Sequence, residues 1–595
     1  QYGFFASGFS AYDEPPKAPH DARARWAVRT CGMHSFKLVH TAILPLLCAL
    51  LLAITARADV AAVAAPDRPA AAVAEQVLRS GGNAADAAVA VGFALAVTFP
   101  EAGNLGGGGF ATLHIEGKSN FLDFRETAPA AATRDMYLDA DGKVIPQLSL
   151  IGHRASGVPG TVAGLWELHR RHGSRPWPEL LAPAIRLAKD GFIPDEKLVR
   201  LVREAEEDYA GKTNFQRHFG ELKENVLFKQ PQLAATLKRI AEQGSDGFYR
   251  GETAKLVEAE MQRGQGLITA ADLAAYRPVW RKPLVSQWRN YTLVTPPPPS
   301  SGGIALIQYL RMKDLLADQF REVPHNSTRY VHLVAEISKR VFADRAEYLG
   351  DPDFVKVPVE RLIDADYLRR RTQEIHLTTP SLPQTVKPGL GESLDTTHYS
   401  IIDGKGNAVS LTYTLNGSFG SGVIVEGAGF LLNNEMDDFS TKPGQPNLYG
   451  VVGGTANAIA PGKRMLSSMT PTILLEGATV RGIYGTPGGS TIFPAVFQTI
   501  VNLKDFGMTP EQAVSAPRFQ HQLLPPNLIV YSRCCVLSES TRNELTAMGY
   551  RVEKSPWEFG DMQIIEINTN GQPMPASDPR GRGESRVIDL AQPAR

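Results

Sequence analysis

Between Thr378 and Asp395 the periodic patterning of this chain fails, and the two sides of the break obey different periods. Upstream, apolar residues recur at helical spacing, as over 178–190 and 329–348. Downstream they alternate at the period of two expected of strands. The break itself holds Pro380, Pro383, Pro388, Gly389 and Gly391, which interrupt regular structure. It reads as an exposed, mobile connector joining a helix-rich part to a strand-rich part, with no internal repeat on either side.

The strand-rich part opens with a hairpin. His398–Ile402 and Ala408–Leu415 read as strands around the turn Asp403-Gly404-Lys405-Gly406-Asn407. If Ile402 faces Ala408, Thr396 faces Thr414, near enough for the hydroxyls to meet. Ser410, Thr412, Thr414 and Asn416 then share one face, and Val409, Leu411, Tyr413 and Leu415 the other. Taken alone, such a polar face is an ordinary solvent-facing one, since threonine suits strands for its shape. A slip of one residue would also undo the pairing. What sets this hairpin apart is a flexible joint that ends on one threonine placed opposite another.

Upstream, 69–79 reads as a helix with Pro in its first turn and Gly81-Gly82 closing it. Asn83 can cap a second, alanine-rich helix toward Thr98, apolar almost all round and therefore buried. The run Asn104-Leu105-Gly106-Gly107-Gly108-Gly109 lacks the Lys-Ser/Thr of a phosphate cradle, so it reads as a tight backbone turn in a core. Helical patterns dominate from Gly160 to about Arg340, punctuated by Pro296–Pro299 as a rigid turn.

Near the start, Lys37 precedes an apolar run, Ala42–Ile54, followed by Ala56-Arg57-Ala58. That order is expected of a secretory signal peptide over 33–58, too short to span a bilayer, with residues 1–32 outside the fold. The protein is then expected to be exported, periplasmic or extracellular, with no stable membrane span. Lysine plus arginine and aspartate plus glutamate each number 62, so nothing pulls the chain toward nucleic acid. Beyond Ala58 the only cysteines are Cys534 and Cys535, two thiols or a vicinal disulfide, without metal-like spacing. His169 and His172 read as surface residues of a helix. No metal site and no cofactor is argued by these residues.

Several runs together are specific. Thr396-Thr397-His398-Tyr399-Ser400, Tyr413-Thr414-Leu415-Asn416, Asn433-Asn434-Glu435-Met436-Asp437-Asp438-Phe439, Leu466-Ser467-Ser468-Met469, Pro487-Gly488-Gly489-Ser490 and Asp123-Phe124-Arg125-Glu126 occur in the order seen in the γ-glutamyltranspeptidase family, which this chain resembles over nearly all of 59–595. The resemblance implies an α+β fold, a four-layer αββα sandwich of the N-terminal nucleophile hydrolase type. It implies self-cleavage between Asp395 and Thr396 into a large subunit, 59–395, and a small subunit, 396–595, which remain together as a heterodimer.

The roles it implies are these. Thr396 is the nucleophile, its freed α-amine the base, and Thr414 orients its hydroxyl. Backbone N–H groups of Gly488 and Gly489 form the oxyanion hole. Arg125 grips the α-carboxylate of a γ-glutamyl group such as that of glutathione, helped by Ser467 and Ser468. Asn416, Glu435 and Asp438 receive its α-ammonium, and Tyr449 lies in a lid loop, 441–454. The acyl group passes to water, an amino acid or a dipeptide. Read singly, Arg125 is a structural ion pair, Glu435 and Asp438 a solvated loop, and Pro487-Gly488-Gly489 and Ser467-Ser468 turns. An acylase acting on cephalosporin side chains, or an uncleaved γ-glutamate-binding protein, would use the same scaffold.

Overall fold

A computed structural model describes residues 60–382, 386, 395–442, 454–555 and 558–592, all within the compact unit Ala58–Arg595. The expected signal segment 33–58, residues 1–32, Tyr449 and most of the connector and lid loop lie outside the described residues.

Two sheets form the centre. The first runs, in spatial order, Glu584–Asp589, Val60–Ala65, Asp395–Ile402, Ala408–Asn416, Gly108–Ile115, Lys118–Phe124 and Val279–Arg281. The second runs Pro573–Ser577, Gln563–Ile567, Thr479–Tyr484, Thr472–Glu476, Tyr291–Thr295 and Leu284–Trp288. Strand alternation assigns the layers. Ala61, Val63, Tyr399, Ile401, Val409 and Leu411 join a core shared with helices Arg68–Arg79, Ala84–Thr98 and Trp177–Asp190. Ala62, Ala64, Ile402 and Ala408 point the other way, onto Val294, Ile473, Ile483 and Ile565 of the second sheet. The far face of that sheet packs Leu293, Leu474 and Ile564 against helices Gly302–Leu315, Thr328–Tyr348 and Ile492–Lys504. Helix, sheet, sheet and helix make the four-layer αββα sandwich. Each buried valine, leucine or isoleucine contributes about 1.5–3 kcal/mol.

The hydroxyl face of the hairpin is not solvent-facing. It is the inter-sheet layer: Ser410 Oγ donates to the Tyr484 carbonyl at 3.0 Å, Ser400 Oγ to Gln563 at 2.9 Å, and Thr112 Oγ1 to Pro471 at 2.6 Å. Hydroxyls fit there because the second sheet offers them carbonyl acceptors; a buried group without a partner would cost about 1–3 kcal/mol.

The helix starts follow their caps. Asn83 and Asp86 exchange side-chain-to-backbone hydrogen bonds at 2.9 Å, a capping box, and all of Ala84–Thr98 is buried. Helix predominates from Gly160 to Arg340 as expected, interrupted by Val279–Arg281, Leu284–Trp288 and Tyr291–Thr295, strands too short to show a clear period. His169 and His172 are half-buried rather than surface residues. His169 Nε2 meets the Arg175 carbonyl at 2.8 Å beside Trp166 and Trp177, and His172 packs on Trp280. Cys534 and Cys535 are free thiols with sulfurs 2.7 Å apart. Among the described residues no helix is long and apolar enough to cross a membrane.

Candidate active site

The strand Asp395–Ile402 pairs with Ala408–Asn416 in the register set by the turn, from Ile402 opposite Ala408 to Thr397 opposite Tyr413. There it slips, and Asp395 pairs with Asn416. Thr396 thus faces two residues, Thr414 and Leu415, across a β-bulge, and the expected one-to-one pairing of Thr396 with Thr414 fails. The cause is Asn416, at φ +77°, a backbone region that asparagine enters more readily than most residues. Its N–H donates to Thr414 Oγ1 at 2.8 Å, and its Nδ2 to the Asn434 carbonyl at 3.0 Å. Bulges re-aim side chains next to functional sites. Here the bulge lies at the end of the sheet, where Thr396 is buried but still 8 % exposed.

The glycine run fixes the bulged strand from behind. Gly108 pairs with Thr414, and Asn104 Nδ2 donates to the Thr414 carbonyl at 2.9 Å. Asn104 Oδ1 accepts from the Gly107 N–H at 2.9 Å and Thr161 Oγ1 at 2.7 Å. A Cβ on Gly107 would lie 1.9 Å from the Thr414 carbonyl oxygen, so only glycine permits this approach. The run is buried in the core as expected, but only Asn104–Gly107 bends there; Gly108 and Gly109 already belong to the strand Gly108–Ile115.

His398, two residues from Thr396, is a strut. Its Nδ1 meets Thr412 Oγ1 at 2.8 Å and its Nε2 meets Ser400 Oγ at 3.1 Å. Burial pushes its pKa down to about 3, so the ring is neutral and both nitrogens are engaged.

The Pro487-Gly488-Gly489 turn leads into helix Ile492–Lys504, with Gly488 at φ +129° and Gly489 at φ +54°. The Gly488 carbonyl accepts from Thr491 N–H at 3.0 Å and Thr491 Oγ1 at 2.7 Å. Thr396, Pro487 and Gly488 line one open cavity of about 640 Å³.

Arg125, Glu435 and Asp438 form a separate, closed cluster. Arg125 Nη1 donates to Glu435 Oε1 and Nη2 to Asp438 Oδ2, while Nε and Nη2 reach the Met465 and Leu466 carbonyls at 3.3 Å. The groups expected to hold opposite ends of one ligand are therefore in contact. Both ends of an α-amino acid branch from a single carbon, so the groups that hold them must lie near one another, and here they also pair with each other, as in the ion-pair reading of Arg125 taken singly. Glu126 adds a third carboxylate, 3.7 Å from Arg125 Nη1. Burial raises the pKa of all three acids: Glu126 to about 7, Glu435 well above the usual range, and Asp438 upward despite the pull of Arg125. Glu435 Oε2, Asp438 Oδ1, both Glu126 oxygens and Ser468 Oγ are buried and accept or donate no hydrogen bond among the described residues. Ser467 Oγ instead accepts from Met469 N–H at 3.2 Å, and its N–H donates to the Pro299 carbonyl at 2.9 Å, so the proline run supports this turn.

Glu126 and three asparagines escaped the sequence reading as functional residues. Asn433 Oδ1 accepts from the Gly157 and Glu435 N–H groups. Asn434 caps the bulge through the Gly417 N–H at 2.8 Å. Asn457 Nδ2 donates to the Asp438 carbonyl at 2.6 Å, and its Oδ1 accepts from Leu466 N–H at 3.0 Å, tying the acidic turn to the serine turn. The signal for Asn433, Asn434 and Glu126 was adjacency to Glu435 and Arg125; Asn457 offered none.

The family model for gamma-glutamyltranspeptidase matches residues 70–588. The chain is 55% identical over 536 residues to the glutathione hydrolase proenzyme of Pseudomonas aeruginosa, covering 90% of this chain and 96% of that one. It is similar to the structure of gamma-glutamyltranspeptidase from Pseudomonas nitroreducens complexed with L-DON, at 53% identity and TM-score 0.54, over 55% of this chain and 97% of that one. It is also similar to cephalosporin acylase from Bacillus halodurans, at 27% identity and TM-score 0.77, over 89% and 96%. The family match spans the bulged threonine strand, the arginine–carboxylate cluster and the glycine turn alike, and the chain belongs to the gamma-glutamyltranspeptidase family.

Proposed function

We propose that this chain is a self-cleaving gamma-glutamyltranspeptidase that takes the γ-glutamyl group from glutathione and related amides and passes it to water, amino acids or dipeptides. The observation that carries the reading is the position of Thr396, which opens onto a cavity beside Gly488 on the same scaffold as a buried arginine–carboxylate nest.

The chain is continuous through Asp395 and Thr396, so the Thr396 nitrogen is an amide and cannot serve as a base. In maturation Thr396 Oγ attacks the Asp395 carbonyl carbon, the C–N bond breaks, and the resulting ester is hydrolysed. The α-amine so released has a reference pKa of about 7.7–8.0 and can take the Thr396 hydroxyl proton. Among the described residues the nearby imidazole of His398 does not compete for that role, because burial holds its pKa down at about 3, making it a weak base, and both its nitrogens are engaged. Thr414 orients the hydroxyl across the bulge. The N–H groups of Gly488 and Gly489 receive the negative charge that develops on the γ-carbonyl oxygen.

Donor recognition follows from charge. Arg125 and the Ser467 and Ser468 hydroxyls take the α-carboxylate; Asn416, Glu435 and Asp438 take the α-ammonium, and Tyr449 covers the group from the loop. Three buried carboxylates around one guanidinium favour a ligand that brings a cation. A glutaryl side chain brings none, which favours the γ-glutamyl reading over the acylase one.

Within this proposal 33–58 is removed on export to the periplasm or exterior, 1–32 stands outside the fold, and 59–395 and 396–595 are the subunits. A denaturing gel with N-terminal sequencing tests it. A smaller fragment beginning Thr396-Thr397-His398 is expected. A chain that stays whole under activating conditions would overturn the mechanism.

A further inference from the structure

We infer that Arg345 is a positioning residue for the proposed donor site, and that it fixes the turn carrying Ser467 and Ser468 through the hydroxyl of Ser301. The inference rests on the proposed role of those two serines toward the donor's α-carboxylate.

Arg345 lies in the last turns of helix Thr328–Tyr348, which is buried throughout from Tyr330 to Ala346. Its side chain and those of Ser301, Ser467 and Ser468 are all buried. Burial pushes the Arg345 pKa down to about 10, so the guanidinium is still charged at neutral pH. Its Nε donates to Ser301 Oγ at 2.9 Å. A guanidinium has no acceptor, so this N–H takes a lone pair of the hydroxyl and leaves the hydroxyl proton for another group. That group is the Ser467 carbonyl, 2.7 Å away, to which the Ser301 N–H also donates at 2.7 Å.

The placement of Ser301 shows what the relay displaces. Ser301 stands at the N-cap of helix Gly302–Leu315, where a serine hydroxyl ordinarily accepts from a backbone N–H of the first turn. Here it makes no such bond and is spent on Ser467 instead. The neighbouring chain reinforces the contact. Ser300 and Ser467 form a parallel bridge, Ser300 Oγ donates to the Met469 carbonyl at 2.6 Å, and a Cβ on Gly302 would lie 2.9 Å from the Ser468 carbonyl oxygen. From the other direction Arg125 reaches the Met465 and Leu466 carbonyls at 3.3 Å. The serine turn is pinned between two guanidiniums, one directly and one through Ser301.

Arg345 also bears on the acidic turn. Burial raises the Asp438 pKa, and the charges of Arg125 and Arg345 both lower it; Asp438 in return favours the charged form of Arg345. With a neutral residue at 345, the carboxyls of Glu126, Glu435 and Asp438 would have only Arg125 for this compensation among the described residues. One helix residue thereby serves both the serine and the acidic side of the proposed site.

The test measures donor KM and kcat separately on processed enzyme with a γ-glutamyl anilide, read as release of the aniline. Arg345→Met removes the charge and the N–H that orients Ser301. It is expected to raise donor KM about tenfold while kcat stays within about threefold, because in the proposed roles the serine turn meets the donor's carboxylate and not the reacting bond. Arg345→Lys keeps a charge and a donor, and is expected to bring KM back to within about threefold of the parent. Ser301→Ala is expected to raise KM about fivefold, and to add less than about twofold when combined with Arg345→Met, since both cut the same relay. A residue that only supported packing would lower the thermal unfolding midpoint and leave KM in place. A parental KM in both Arg345→Met and Ser301→Ala, or losses that multiply in the double variant, would overturn the inference. Should Arg345→Met fail to fold, Ser301→Ala decides, a raised KM sustaining the relay and a parental one overturning it. A parent enzyme that releases no aniline refutes the donor reading itself, whereas an active parent with unchanged variants refutes the role of Arg345 alone.

Discussion

Adding one methyl group at Gly107 tests the link between core packing and the position of Thr396, the proposed nucleophile. Gly107 is not in the left-handed region, so alanine meets no backbone strain there, only a collision. Its Cβ would sit 1.9 Å from the Thr414 carbonyl oxygen and 2.7 Å from Asn104 Oδ1, whereas ordinary contact begins at 3.4 Å. Relief therefore needs about 1.5 Å of movement. The Thr414 strand is held on both edges, by Gly108–His114 on one side and Thr397–Ile402 on the other, so the shift concentrates at its free end, the bulge. Overpacking of this kind costs about 1–3 kcal/mol, which a large core tolerates. A displacement of about 1 Å at a reacting group costs on the order of 100-fold in rate. Gly107→Ala is thus expected to give folded protein whose self-cleavage, followed by gel densitometry against time, is at least about 100-fold slower. Cleavage within about threefold of the parent, with an unchanged thermal unfolding midpoint, would show that the run at Gly107 does not position Thr396.

The remaining predictions concern single groups. Thr396→Ala is expected to abolish both self-cleavage and turnover; a normally processed variant would remove Thr396 as nucleophile. Asp438→Ala should raise the donor KM roughly tenfold while slowing maturation far less, since in the proposed roles it receives the α-ammonium and does not touch the Asp395–Thr396 bond; steady-state kinetics on processed enzyme decide this. Arg125→Lys replaces a fork bonded to Glu435 and Asp438 by a point charge and should lower donor kcat/KM on the order of 100-fold. His398 is held at a pKa of about 3 against 6.5, so the unfolded chain binds its proton first and stability falls as pH drops from 6.5 toward 3. Between pH 6.5 and 4.5 the parent should lose about 2–3 kcal/mol relative to His398→Asn, read from urea midpoints.

Much of the site was legible because it is built from local chemistry. Asn83 and Asp86 cap a helix at the spacing that capping requires, and the five-residue turn at Asp403 sets the register as far as Thr397. Legibility ends at the bulge, since nothing in a string of residues marks where a strand takes in one extra member; Asn416 became informative only through its positive φ. The hydroxyl face misled for a related reason. Alternation separates two faces but does not say which one meets water, and a second sheet with free carbonyls turned the polar face inward. Arg125 and Glu435 stand 310 positions apart, and only the fold brings them into contact.

The order of strands in the first sheet bears on what a cut at Asp395–Thr396 can do. Val60–Ala65 is laced between Glu584–Asp589 and Asp395–Ile402, and Gly108–Ile115 is laced to Ala408–Asn416. Each fragment supplies rungs that the other has no substitute for, so scission removes one covalent bond and leaves the ladder whole. Pulling the pieces apart would be equivalent to melting the sheet. A cut there would thus leave two fragments held together by the strands they share.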